Sequence, residues 1–212
     1  MDRAKLDAIW QKNYSADTAA RESEVLADLM AARADCDSKR PSVETLLHNL
    51  FPQKYVLHVH PTKVNGLTCS KDGQATAEKL FPNAVWVDEC EPGYILASKC
   101  RTALVDTKAK SGKDADVVIL QNHGIFFAAD CTCCIDKLTE RVMSTIKAQI
   151  KVFPCDEQVD CDKALAELLA PELRMLYSPE GEAVVRYTAN HDVIAYAVSE
   201  KTFAPLAKSF SP

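Results

Sequence analysis

Glycine is scarce in this chain, with six among 212 residues and no two spaced as Gly-x-Gly. A backbone cradle of the dinucleotide or P-loop kind needs that spacing, so nucleotide-dependent chemistry has no footing here. No Gly-x-Ser-x-Gly occurs either, which removes the serine-hydrolase elbow. Long apolar runs are missing, and no stretch approaches the roughly 20 apolar residues of a membrane-spanning helix. The opening Met1-Asp2-Arg3-Ala4-Lys5 is charged and no apolar run follows it. The expectation is therefore no secretory leader and a cytoplasmic protein. Positive charge is not in excess: the formal net charge is −5. Phosphate backbones need a basic face, so nucleic acid is not an expected partner. The short run Lys108-Ala109-Lys110-Ser111-Gly112-Lys113 reads as a solvated helix end and loop.

What remains is the profile of an ordinary globular protein, 47% apolar and 26% charged. Its length suits one sizeable domain plus a small appendage. The nine cysteines are an odd number without framework spacing, and with no export signal the expected state is reduced thiols. Cys131, Cys133 and Cys134 crowd together in Asp-Cys-Thr-Cys-Cys. No second Cys/His pair stands at zinc-ribbon spacing, and the cluster opens a helical pattern, so these too read as thiols rather than a soft-metal site.

Along the chain, residues 4–13 and 17–34 read as helices, with Asp17 as an N-cap and Val25, Leu26, Leu29 and Met30 as an apolar stripe. Cys36 to Pro41 reads as a loop. Ser42 fits the N-cap of a short helix that runs to Phe51 and stops at Pro52. Tyr55 to His60 is β-branched and aromatic-rich and reads as a strand. Residues 62–81 suit helical pieces broken at Gly73, residues 84–88 a strand, and Ile95 to Lys110 a helix. Asp116 to Gln121 is a near-continuous apolar strand of the buried kind. Asn122-His123-Gly124 turns it into a further strand over residues 125–128, and Thr132 to Ile150 is a long amphipathic helix. After Pro154 the texture changes. Residues 164–177 look helical with an interruption near Pro171, 183–187 suit a strand, and 191–198 suit either. Alternating strands and helices imply a layered α/β domain. Residues 1–155 are expected to form it, with residues 156–212 an appendage packed on it.

Only five histidines are present, and three sit where chemistry can be presented. His58 and His60 are two apart on a strand, so both project to one face and can converge on one point, while Leu57 and Val59 face the other way. The same spacing also fits a pair of satisfied polar residues at a sheet edge. His123 lies in the turn after the apolar strand, followed by Gly124, which permits tight backbone geometry. Three neutral imidazoles would give zinc its open catalytic geometry, with a fourth position free. Glu44 and His48 stand one helical turn apart and share a face. Glu44 suits a general acid or base there, although a glutamate in a first turn also simply favours the helix dipole. His48 reads as a packing residue, and His191, in a polar stretch, as a surface one.

These segments in order resemble the class II aldolase/adducin family: Ser42-Val43-Glu44 with His48, then His58-Val59-His60-Pro61, then Gln121-Asn122-His123-Gly124. The stretches Asn65-Gly66-Leu67-Thr68 and Glu91-Pro92-Gly93-Tyr94 resemble its branch of rhamnulose- and fuculose-phosphate aldolases. The resemblance implies a three-layer α/β/α sandwich around a central mixed, largely antiparallel sheet. It also implies a cyclic homotetramer with active sites at subunit interfaces. Zinc, or another divalent metal, would sit on His58, His60 and His123, with Glu44 shuttling a proton. Ser42 matches half of the family's double serine at the substrate phosphate. The implied activity is a lyase that cleaves a phosphorylated ketose by retro-aldol chemistry. A ketose-phosphate dehydratase or epimerase on the same scaffold, and a non-catalytic adducin-like interaction module, are the alternatives. The family's upstream phosphate loop is not matched, and Lys208 to Pro212 resembles the start of a longer tail. The expectation from this is a chain truncated at both ends, its metal site intact and its turnover weakened.

Overall fold

The computed structural model describes residues 1–34, 39–151, 159, 162–178, 181 and 184–207. It divides into two compact units, Met1–Gln149 and Ile150–Pro212.

The first unit is built on four strands: β1 (Tyr55–Val59), β2 (Val85–Val87), β3 (Val117–Leu120) and β4 (Gly124–Ala129). Their order across the sheet is β1-β4-β3-β2. β4 pairs antiparallel with both β1 and β3, while β2 runs parallel to β3. The sheet is therefore mixed and largely antiparallel, as the family resemblance implies.

Seven helices flank it: α1 (Arg3–Ile9), α2 (Thr18–Ala31), α3 (Thr45–Asn49), α4 (Thr62–Thr68), α5 (Gly73–Leu80), α6 (Tyr94–Ser111) and α7 (Thr132–Lys147). Because side chains alternate across a strand, the sheet has two apolar faces. On one, Val118, Leu120, Phe126 and Ala128 pack with Leu6 and Ile9 of α1, Val25 and Leu29 of α2, Leu46 and Leu47 of α3, and Leu96 and Ala97 of α6. Val117, Ile119, Ile125 and Phe127 point the other way and are equally buried. That face is covered by α4, α5 and α7, through buried Val64, Leu67, Ala77, Leu138 and Val142. These are the three layers. β3 is buried at all four positions, which is why it reads as an unbroken apolar run rather than an alternating one.

Local chemistry sets the helix ends. The Asp17 carboxylate accepts from the Ala20 amide at 2.9 Å, capping α2. Gly112 closes α6 in the left-handed conformation at φ +70°. Ser42 does not cap α3 as expected. Its hydroxyl accepts from the Glu44 amide at 3.1 Å, and its carbonyl accepts from Thr45. A turn thus forms first, the helix begins at Thr45, and Glu44 becomes its N-cap residue. Among the described residues the expectation of uniformly reduced thiols also fails. Cys131 and Cys134 are joined as a disulfide, while Cys69, Cys90, Cys100 and Cys133 are free.

The second unit contains α8 (Lys163–Tyr177), α9 (His191–Ala197) and α10 (Glu200–Ala207). The interruption expected near Pro171 is not found: the proline lies inside α8, which continues through it to Tyr177. Asn190 caps α9 by accepting from the Val193 amide at 2.8 Å, which settles residues 191–197 as helix. The strand expected at 183–187 is not found at 184–187; residue 183 lies outside the described residues, as do residues 36–38 of the expected loop and the tail at 208–212. No helix among the described residues is long and apolar enough to cross a membrane.

Candidate metal centre

The topology brings distant residues together at one edge of the sheet. Antiparallel register sets His58 opposite Phe126 and Val59 opposite Ile125. The carboxyl end of β1 therefore lies beside the start of β4, next to the β3–β4 turn that carries His123. His58 projects to the Phe126 face, which is also the face covered by α3, and Glu44 stands at the N-terminus of that helix.

Four donor atoms, one each from Glu44, His58, His60 and His123, lie within 4.8 Å of one another. His60 Nε2 is 2.8 Å from His58 Nε2. Glu44 Oε1 is 3.3 Å from His58 Nε2 and 3.4 Å from His123 Nε2. The Glu44 side chain makes no capping hydrogen bond to α3. Its carboxylate faces the imidazoles, so the helix-dipole reading does not account for its placement. His48 stays outside the group, its ring edge-on to Phe126 at 5.4 Å.

His58 is the best-defined member. Its Nδ1 lies 3.0 Å from the Ile125 carbonyl oxygen. A carbonyl only accepts, so Nδ1 carries the proton and Nε2 presents its lone pair to the cluster. Phe126 stacks on the ring at 4.0 Å, 13° from parallel. Burial pushes the His58 pKa down, against the raising effects of the Ile125 hydrogen bond and Glu44, with His60 and His123 lowering it further. Its side chain is 5% exposed. A neutral imidazole with a fixed tautomer is the form that ligates a metal. Three imidazole nitrogens and one carboxylate oxygen converging on a small volume match the donor preferences of zinc. The residues present fit a divalent cation.

The turn holding His123 is anchored to the end of β2. Asn122 adopts φ +55°, a left-handed conformation that asparagine tolerates better than most residues. Its side-chain amide donates to Glu89 Oε2 at 2.6 Å. The Glu89 amide in turn donates to Gln121 Oε1 at 3.0 Å, and the Gln121 amide to the Val87 carbonyl. Reading the sequence did not single out Glu89. Its signal lies in topology: β2 and β3 run parallel, with Val87 opposite Leu120. Both strands thus end at the same sheet edge, where sites in α/β sheets gather.

Ser42 sits two residues before Glu44, exposed, with its hydroxyl engaged to the Glu44 amide. The fold is thus a three-layer α/β/α sandwich with a His/Glu group that could hold a metal ion where the strands end. Its family is shown by sequence comparison: residues 8–149, more than half of the chain, match the Class II Aldolase and Adducin N-terminal domain. The chain belongs to that family. A curated relative, an uncharacterized oxidoreductase YuxG of Bacillus subtilis (strain 168), is 26% identical over 192 residues, covering 84% of this chain. The chain spans only 27% of that protein's length. Among solved structures, the N-terminal class II aldolase domain of a conserved protein from Thermoplasma acidophilum matches with a TM-score of 0.56 and 22% identity. The match covers 68% of this chain and 62% of that one and shows the fold. An L-fuculose 1-phosphate aldolase matches more remotely, at a TM-score of 0.37 and 20% identity over 65% of this chain and 66% of that one.

Proposed function

We propose that this chain is a divalent-metal-dependent carbon–carbon lyase acting on a phosphorylated ketose, with zinc as the metal. His58, His60 and His123 hold the metal, and Glu44 is the acid/base. The observation that carries this reading is the convergence of three imidazoles and a carboxylate from four separate parts of the chain. Family membership supports it. The oxidoreductase name belongs to a protein almost three-quarters of whose length this chain does not match, so it offers no argument for redox chemistry here.

Breaking the bond between C3 and C4 of a ketose 1-phosphate leaves an electron pair on C3 that delocalises onto the C2 oxygen, beside the C3 hydroxyl oxygen, and moves a proton from the C4 hydroxyl. A divalent cation on the histidines supplies the Lewis-acid stabilisation of that charge, worth several kcal/mol. The chain's own residues do the rest. The hydrogen bond from His58 Nδ1 to Ile125 holds that imidazole in its ligating tautomer. Glu44, half-buried beside the ligands, is positioned to accept and return the proton. The Ser42 hydroxyl accepts one hydrogen bond from the Glu44 amide and keeps its own proton to donate to a substrate phosphate oxygen. His60 is exposed, so one chain leaves the site open on that side, which favours a homo-oligomer, a tetramer by family resemblance, whose neighbouring copy covers it.

The test is a lyase assay on ketose 1-phosphates with added divalent metals, reading release of dihydroxyacetone phosphate. Glu44→Gln is expected to lower turnover by about 10²–10⁴-fold while metal stays bound. Unchanged turnover in that variant removes Glu44 from the mechanism, and absence of cleavage across the panel overturns the lyase reading.

A further inference from the structure

At the opposite end of β4 from the histidines, a second cluster of reactive side chains opens α7. Cys131 is the N-cap of this 16-residue helix, and its sulfur accepts from the Cys134 amide at 3.1 Å. Cys131 and Cys134 are bonded as Cys-x-x-Cys, and the free Cys133 sulfur lies 3.1 Å from Cys131 Sγ. Cys133 and Cys134 are exposed and Cys131 is half-buried, so solutes reach all three. The first turn of α7 carries no acidic side chain. The preceding Asp130 is turned away to accept from the Lys54 amide at 3.1 Å.

Each feature favours exchange chemistry over a structural crosslink. A thiolate at a helix N-terminus is stabilised by the unpaired amides and the dipole there, which lowers a thiol's pKa and raises its thiolate fraction. The ring closed by the bond encloses only Thr132 and Cys133, so it constrains the unfolded chain less than a long-range crosslink would. Cys100 offers the contrast: buried within the core, its thiol is pushed up to about 12 by burial, with a smaller contribution from Cys90.

We propose that Cys131 and Cys134 form a reversible dithiol/disulfide couple that exchanges with low-molecular-weight thiols and disulfides of the glutathione class. In the oxidising direction, the Cys131 thiolate attacks one sulfur of the small disulfide, forming a mixed disulfide and expelling one thiolate. The Cys134 thiolate then attacks Cys131 Sγ, closing the internal bond and expelling the second thiolate. The protein loses two electrons and two protons, and the small disulfide becomes two thiols. Cys133 is the neighbouring third thiol and is not required for the couple.

The experiment equilibrates the full chain in glutathione buffers of graded ratio, quenches with acid, alkylates free thiols and maps the peptide of residues 114–137 by mass spectrometry. Expected is a single two-electron transition in which this peptide loses two hydrogens and keeps one alkylatable thiol. Cys133→Ser should leave the transition in place and Cys131→Ser should abolish it. The double variant Cys133→Ser/Cys134→Ser should accumulate glutathione on Cys131, rising from trace to near one per chain. The proposal is overturned if the wild-type peptide stays reduced at every ratio, carries glutathione without an internal bond, or behaves identically in Cys131→Ser.

Discussion

The backbone of Gly124 lies flush against the imidazole of His60, so a β-carbon at residue 124 would overlap ring atom Cδ2 and stand 2.7 Å from the Val59 carbonyl oxygen. Glycine here is a steric requirement of the site: β1 and β4 approach so closely at this edge that the histidine occupies the space of a methyl group. Gly124→Ala should displace His60 from the other three donors. Metal affinity is expected to fall by about 10–100-fold, the range seen when groups that orient ligands are lost. Overpacking should cost about 1–3 kcal/mol of stability. Calorimetric titration with zinc and urea denaturation measure the two; an unchanged affinity would mean that His60 is not a ligand.

Glu89 acts at one remove. Its carboxylate takes the Asn122 amide at 2.6 Å, and its own amide holds Gln121, so the His123 turn is tied to the end of β2. Glu89→Ala should loosen that turn and weaken metal binding by about 10–100-fold, with little change in the thermal midpoint of the metal-free protein. A drop in the midpoint with no change in affinity would assign Glu89 to the scaffold alone.

Phe126 couples the site to the core. It is 1% exposed, stacks on His58, and lies within 5.7 Å of Phe51 between ring centroids. Phe126→Ala is expected to destabilise the fold by about 3–5 kcal/mol. Because the ring also fixes His58, metal binding should weaken as well, even at temperatures where the variant remains folded by circular dichroism.

An acid-sensitive contact lies away from the site. Burial raises the Asp28 pKa, but hydrogen bonds from Lys12 and Tyr14 outweigh it and leave a net lowering; the Tyr14 hydroxyl donates at 2.6 Å. A carboxylate lowered in the folded state stabilises above its unfolded pKa, and that stabilisation is lost as pH falls through the folded value. Asp28→Asn should therefore flatten the decline of the urea midpoint between neutral pH and the range below ordinary aspartate titration. An acid limb identical to wild type would remove Asp28 from it.

Much of this was legible in the amino-acid order. The apolar run 117–120, the His-x-His pair bounded by proline, and the turn at Asn122-His123-Gly124 all carry periodicities that mark strands and their ends. What could not be read was distance. Nothing in the order of residues says that β1 pairs with β4, which is what sets His123 beside His58. For the same reason Glu89 passed unnoticed, since its relation to Asn122 depends on β2 running parallel to β3. The face carrying His58 was also more enclosed than strand alternation alone implies: the sheet is covered on both sides, and Phe126 and α3 share that face with the histidine. Ser42 misled because a serine before a helical pattern serves equally as an N-cap or as the head of a turn, and the carbonyl bond to Thr45 decided for the turn.

The measurement that bears most directly on the site is metal content by elemental analysis after equilibration with zinc and removal of the excess. We expect about one zinc per chain for the wild type and none retained by His58→Ala or His123→Ala, both still folded by circular dichroism. A wild-type chain that holds no metal, or histidine variants that keep it in full, would contradict the assignment of these three imidazoles.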